Sequence, residues 1–358
     1  MNRLKTYRDS FQKLIAIVGC ILMIVAFSAK VNAQDASFSQ YYASGLYLNP
    51  SLAGAASDLT FGSNYRSQWR SVVLPYVTSQ MSIIYPLYRK DLDETHLGGL
   101  GFSVFNDRAG DGNFKTLGIN GNFAYNLQLS SNQEHIVSMG IQAGIVQKNV
   151  DYTNLEWGEQ YNPYIGFDAT SVPSEAAFGS GVLYPDFSVG AIYYYNVAEE
   201  YHSKKMSGFL GASAYHLSQP NESFVEGLVS KLPMLIKVHG GVNYLVNRKF
   251  KLSPNVLFMM QNGATHMNGG LYATYRAFNA KKGLLKKTDV IAGAWYRHRD
   301  AFIISAGLHN RAYTIGLSYD YNTSSLRFAS NGRGAWEISL ALRRIKNRSP
   351  KSFATPRI

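Results

Sequence analysis

The chain has 358 residues and a mass of 39.8 kDa; 46% of it is hydrophobic, 13% aromatic and only 16% charged, with a net charge of +12. Charge this far below the roughly 25% of an ordinary soluble domain excludes a disordered or coiled-coil protein, and a mean hydropathy of −0.14 excludes a bundle of long apolar helices. The 25 tyrosines, 19 phenylalanines and 32 glycines suit a barrel with lipid outside and water inside better than a soluble α/β enzyme.

In chain order, the first element is a leader. Arg3, Lys5, Arg8 and Lys13 precede an apolar run from Leu14 to Ala29, and Val31-Asn32-Ala33 closes it with a small-x-small ending. This pattern predicts a secretory signal peptide over 1–33, cleaved after Ala33. Ile17-Val18-Gly19-Cys20 loosely resembles a lipoprotein acylation site, but its thiol lies inside the apolar run. Cys20 is the single cysteine, so the mature chain has no disulfide, thiol nucleophile or Cys-ligated metal. Five Lys/Arg and one Asp leave with the leader, which reduces +12 to +8, and six of those eight charges are Arg343, Arg344, Lys346, Arg348, Lys351 and Arg357. A nucleic-acid binder spreads such charge over a folded face. Here it forms a terminal appendage, and no nucleic-acid partner is expected.

Residues 34–58, rich in Tyr, Ser, Leu and Asn, read as a lumen plug or an amino-terminal periplasmic segment. Beyond them no stretch approaches the ~18 consecutive apolar residues of a membrane helix, and a period of two recurs instead. Leu117, Ile119, Phe123, Tyr125 and Leu127 oppose Gly118, Asn120, Asn122, Asn126 and Gln128; Ile315, Leu317 and Tyr319 oppose Gly316, Ser318 and Asp320. Such segments fall near 59–69, 77–87, 97–107, 116–129, 134–150, 185–196, 204–218, 231–247, 250–263, 266–278, 288–299, 301–311, 313–323 and 335–345. Each approaches the roughly 9–11 residues of a tilted membrane strand. The fold class predicted is all-β: a transmembrane antiparallel outer-membrane β-barrel of about 14 strands, within a range of roughly 12–16. It spans 59–345, follows a cleaved signal peptide and precedes a basic tail at 346–358. The long connections, near 108–115, 151–184, 219–230 and 324–334, are assigned to the outside. Short turns such as Asn247-Arg248-Lys249 and Asn310-Arg311-Ala312 are assigned to the periplasm.

Catalytic chemistry finds little support. Ser213 and His216 are close, but their odd spacing along a strand puts them on opposite faces. No G-x-S-x-G elbow or H-E-x-x-H helix occurs, and His298 and His309 have no carboxylate that can be placed beside them. No enzyme activity, cofactor or metal is expected. Asp107, Asp111 and Asn113 lack the spacing and closing glutamate of an EF-hand loop and read as a polar hairpin turn. Asp91, Asp93, Glu94 and His96 form an acidic turn, and Lys281, Lys282, Lys286 and Lys287 a basic one. Both read as solvated turns, with docking of a basic partner or of lipid phosphates as the sharper alternatives. Arg66, Gln68, Asn120, Asn122, Gln142, Asp320 and Glu337 point inward; they line either a solute channel or a hydrogen-bonded lumen. Trp157, Tyr161, Tyr164 and Phe167, in the longest connection, are candidate partner anchors of the aromatic kind that dominates interfaces.

Several stretches resemble the PorP/SprF family of type IX secretion membrane proteins of Bacteroidota. The opening signature comprises Gln34, Asp35, Phe38, Ser39, Gln40 and Tyr41, then Leu48, Asn49, Pro50 and Gly54, then Asn64, Tyr65, Arg66, Gln68 and Trp69. Further matches follow in order at Pro185-Asp186-Phe187-Ser188, Ser213 with His216, His239-Gly240-Gly241, Trp295-Tyr296-Arg297, Tyr319-Asp320-Tyr321 and Glu337-Ile338-Ser339-Leu340. Two features depart from the family: Gly334-Ala335-Trp336-Glu337 stands where it has Gly-Ser-His-Glu, and a basic tail follows the last strand. The resemblance implies an outer-membrane component of the type IX secretion system without enzymatic activity. Its implied partners are outer-membrane lipid, a secreted protein with a type IX C-terminal sorting domain (gliding adhesins included), and other components such as periplasmic proteins linked to peptidoglycan. The alternative drawn from the residues alone is a porin or solute channel with a polar lumen.

Overall fold

The computed structural model describes residues 35–344, apart from 72–73, 90–94, 111, 131–133, 152–154, 169, 172–180, 197–204, 279–282, 284 and 286. The leader, Gln34, the tail at 346–358, Asp91, Asp93, Glu94, Asp111, Lys281, Lys282 and Lys286 lie outside the described residues.

The alternating segments form strands β1 (Leu59–Gln68), β2 (Tyr76–Arg89), β3 (Thr95–Ala109), β4 (Phe114–Gln128) and β5 (His135–Asn149). A small hairpin, β6 (Tyr161–Asn162) and β7 (Gly166–Phe167), stands in the next connection. Then come β8 (Gly181–Tyr195), β9 (Met206–Tyr215), β10 (Leu235–Asn247), β11 (Phe250–Gln261), β12 (Ala264–Phe278), β13 (Thr288–Arg297), β14 (Ala301–His309), β15 (Tyr313–Asn322) and β16 (Arg333–Arg344). Without the hairpin they make a closed antiparallel barrel of 14 strands. β1 seals against β16 from Leu59↔Arg344 to Gln68↔Ala335, so no edge is left open. No described helix is long and apolar enough to cross a membrane.

The pleat sorts the side chains. Leu117, Ile119, Phe123 and Leu127 on β4 are exposed, while Asn120, Asn122 and Asn126 between them are buried. The outer surface is aliphatic at mid-strand (Ile83, Ile119, Ile141, Leu271, Ile304, Leu317), and tyrosines stand nearer the strand ends (Tyr85, Tyr125, Tyr193 at one end; Tyr65, Tyr296, Tyr321 at the other). An apolar belt with aromatic girdles is the surface that a bilayer covers. The connections are asymmetric. One end carries 150–180, 216–234 and 323–332; the other carries short turns such as 248–249 and 310–312, together with the start of β1 and the end of β16.

The inner face is not polar throughout. Ile136, Ile192, Leu235, Leu257 and Ile303 point inward and pack with Tyr41, Leu48 and Leu52 of the segment preceding β1. Apolar residues are stable there because the lumen is filled with protein rather than water. That segment, 35–58, is a compact string of turns: a 3-10 turn at Tyr41–Ala43, one α-helical turn at Gly45–Leu48 and a 3-10 helix at Pro50–Gly54.

Candidate functional site

The functional site is built where the 35–58 segment meets the wall, and it starts from one asparagine. Asn49 has Pro50 at the first position of the following helix, whose ring presets φ and needs no N–H partner. Its Oδ1 accepts from Ser51 N at 3.0 Å and Ser51 Oγ at 2.7 Å, which caps the helix. Its Nδ2 donates to the carbonyls of Ala191 and Ala212, each at 3.1 Å, and so ties the plug to β8 and β9 at once. The wall must be bare for this approach. A Cβ on Gly190 would lie 1.9 Å from Asn49 Oδ1, and one on Gly140 would lie 2.3 Å from Ser51 N.

Further polar contacts follow the plug's backbone. Ser213 Oγ donates to Leu48 O at 2.9 Å, Tyr215 OH to Leu46 O at 3.1 Å, Ser138 Oγ to Ser51 O at 2.9 Å and Asn126 Nδ2 to Gly54 O at 2.8 Å. Lys237 Nζ donates to Tyr47 O at 2.6 Å and stands 4.2 Å from the ring centres of both Tyr47 and Tyr215. That cation–π sandwich compensates an ammonium withdrawn from water. Phe38 packs edge-on to Tyr47 at 5.5 Å, and Tyr41 edge-on to Trp295 at 5.6 Å.

A buried ionic clasp holds Ser37 to Gln40. Glu337 accepts the backbone N–H groups of Ser39 (2.7 Å) and Gln40 (3.2 Å), and Asn64 Nδ2 at 3.2 Å. Two consecutive N–H groups that no secondary structure satisfies are thereby paired; left unpaired in this interior each costs about 1–3 kcal/mol. Asp320 Oδ2 receives Arg66 Nη2 at 3.0 Å, Arg297 Nη2 at 2.7 Å and Ser39 Oγ at 2.7 Å. Arg66 also donates to Ser37 O, and Arg297 to Asp300. Gln40 Nε2 reaches Ser318 Oγ and Glu337 O, while Ser339 Oγ donates to Gln40 Oε1 at 2.7 Å.

A second polar cluster holds the very start of the segment. His216 Nδ1 lies 3.0 Å from Asp186 Oδ2, its Nε2 lies 2.7 Å from Asp35 Oδ2, and Asp35 N donates to Gln261 Oε1 at 2.9 Å. This corrects the expectation that Ser213 and His216 take opposite faces, since both are buried in the lumen. β9 ends at Tyr215, and His216 turns at φ 58°, so the alternation no longer applies to it. The missed signal was the alternation carried across to Lys237 and His239 of β10: two titratable side chains two residues apart beside outward-facing Val238.

The structure therefore brings together Asp35, Phe38, Ser39, Gln40, Tyr41, Leu48, Asn49, Pro50, Gly54, Asn64 and Arg66 of the opening signature in one plug–wall interface. Tyr65 instead faces outward beside Trp336 at 5.3 Å, and Trp69 packs edge-on to Tyr76 at 5.0 Å just past β1, with Gln68 half-buried. The loop aromatics stand apart from this interface. Tyr161 and Tyr164 are 67% and 95% exposed, Phe167 is exposed and Trp157 half-buried. Gln160 accepts from Trp157 N and donates to Ser171 O, which closes the loop around the hairpin. Among the described residues no His, Cys, Asp and Glu group is placed to hold a metal ion; Asp107 accepts from Thr78 Oγ1 at 2.6 Å instead. Space left between plug and wall includes a cavity of about 150 Å³.

A closed barrel with an apolar, aromatic-girdled belt and its own chain packed in the lumen is an outer-membrane β-barrel protein. The family model described as "Type IX secretion system membrane protein PorP/SprF" matches residues 30–342, and the chain belongs to that family. Comparison with curated proteins gives no match. Among solved structures, the chain is similar to the Ralstonia pickettii toluene transporter TbuX (10% identity, TM-score 0.47, covering 85% of this chain and 94% of that one). It is similar also to the CymD monoaromatic hydrocarbon channel (14%, TM-score 0.47, 88% and 96%) and to a Pseudomonas aeruginosa FadL homologue (10%, TM-score 0.43, 84% and 94%).

Proposed function

We propose that this barrel is a non-enzymatic docking platform of the type IX secretion system, supporting export or surface attachment of a partner that carries a type IX C-terminal sorting domain, gliding adhesins included. The reading takes residues 1–33 as a cleaved leader, 34–58 as plug, 59–345 as barrel and 346–358 as a basic periplasmic tail. The long-connection end faces outward and receives the partner. The short-turn end faces the periplasm and the components linked to peptidoglycan. The observation that carries this reading is the hairpin at Tyr161–Phe167, which offers exposed aromatics on a barrel whose lumen is occupied by its own chain. A filled lumen leaves the outer surface as the place for recognition, and rigid aromatic side chains are its strongest anchors.

The test replaces residues 151–180 by a short Gly/Ser turn and compares the cell-surface and medium proteins of the variant with those of the parent strain by quantitative mass spectrometry. The barrel should still insert, while a large protein bearing a sorting domain leaves the cell surface. Unchanged retention removes the loop from the account. Loss of every such protein on full deletion of the chain assigns it to the core machinery rather than to one partner.

A further inference from the structure

We infer that the chain enters the barrel at its long-connection end, so that Asp35 stands at the same mouth as the Tyr161–Phe167 hairpin and forms part of the surface met by the sorting domain proposed above. That this face is the outer one rests on the orientation proposed above.

The path is fixed by contacts at both ends. Asp35 N donates to Gln261 Oε1 (2.9 Å), at the point where β11 turns into β12, and its carboxylate meets His216 Nε2 (2.7 Å), where β9 gives way to its long connection. Ser37 O accepts from Arg66, near the end of β1 and not its beginning, and Ser39 N donates to Glu337, near the start of β16. All four wall residues belong to the long-connection end. Fifteen or so residues later the neighbours belong to the other end: Gly54 O accepts from Asn126 late in β4, and Ser57 O from Tyr88 OH late in β2. β1 then begins at Leu59 and runs back up the wall. A plug that entered and left on one side would put Asp35 and Asp58 at one mouth. Here the segment crosses the lumen once, and only its far end joins the barrel covalently.

The near end is held by non-covalent contacts to side chains of the wall. The His216–Asp35 contact, backed by Asp186 and Gln261, sits between the β9–β10 connection and the β11–β12 turn, and the Asp35 side chain keeps 27% of its surface exposed. A sorting domain seated on the long connections therefore meets Asp35 directly.

Three single-cysteine variants in a Cys20→Ser background test this in intact cells with a membrane-impermeant maleimide: Ala36→Cys at the half-buried start of the plug, Tyr164→Cys on the hairpin and Arg311→Cys in a short turn. Heat-dependent gel migration confirms that each barrel is folded, and lysis confirms that each thiol is present. The expected result is labelling of Ala36→Cys and Tyr164→Cys in intact cells, with Arg311→Cys labelled only after lysis. Labelling at Tyr164→Cys but not at Ala36→Cys overturns the inference and leaves the orientation standing. Labelling at Arg311→Cys without Tyr164→Cys overturns the orientation and the outward position of Asp35 together.

Discussion

At the scale of single residues, the charge of His216 latches the start of the plug. Burial alone pulls its imidazole down, but the carboxylates of Asp35 and Asp186 outweigh this and hold it up at about 9. Asp35 is pushed up by burial, yet His216, with help from Lys237 and Lys148, draws it down to about 2. A histidine raised from 6.5 to about 9 contributes its full stabilisation below pH 6.5 and loses it as pH rises through 9. An aspartate lowered from 3.8 to about 2 contributes above pH 3.8 and loses its share as pH falls through 2. The latch is thus complete between pH 3.8 and 6.5 and weakens on the alkaline side. Hydrogen exchange at residues 35–38 should accelerate from pH 6.5 to 9 beyond the intrinsic base-catalysed rise. In His216→Gln the same amides should be poorly protected, with no such extra step. A parent profile that matches the variant's would remove His216 from the latch.

At the scale of elements, each strand has one face for lipid and one for the plug. Ile141, at the middle of β5, is 59% exposed on the outer face, and Gln142 beside it is buried in the lumen. Ile141→Arg should therefore lower the unfolding free energy in urea titrations in lipid by about 2–4 kcal/mol, the cost of a cation at the bilayer midplane. A change within error would mean that this face is not against hydrocarbon. Strand existence was legible because the alternation is long and repeated; strand ends were less so. β10 begins at Leu235 rather than near 231, since Pro233 cannot donate to a ladder and Lys231 pairs with Asn221 inside the connection. β9 stops at Tyr215 rather than near 218 because His216 takes a left-handed turn.

At the scale of the whole molecule, the plug decides between a platform and a channel. Glu337, Asp320, Ser213 and Lys237 each hydrogen-bond residues 35–58, so these inward groups serve the plug instead of lining a water column. Parent protein in planar bilayers should show no stable open steps, whereas deletion of residues 35–56 should produce them. Stable conductance in the parent would favour the porin reading. The sequence by itself determined the barrel, a strand number of about 14 and the lipid-facing residues, because a period of two depends only on the local pleat. It also marked Asn49-Pro50, Asp320 and Glu337 as matches to a family without assigning them partners. Only the tertiary structure decided that Asp320 and Glu337 close on Ser39, the latter across 298 positions of chain, that Asn49 ties the plug to β8 and β9, that His216 sits between two carboxylates, and that Asp35 and Asp58 lie at opposite mouths. Such contacts depend on how the sheet closes and which way the plug crosses it, and no local periodicity carries that information.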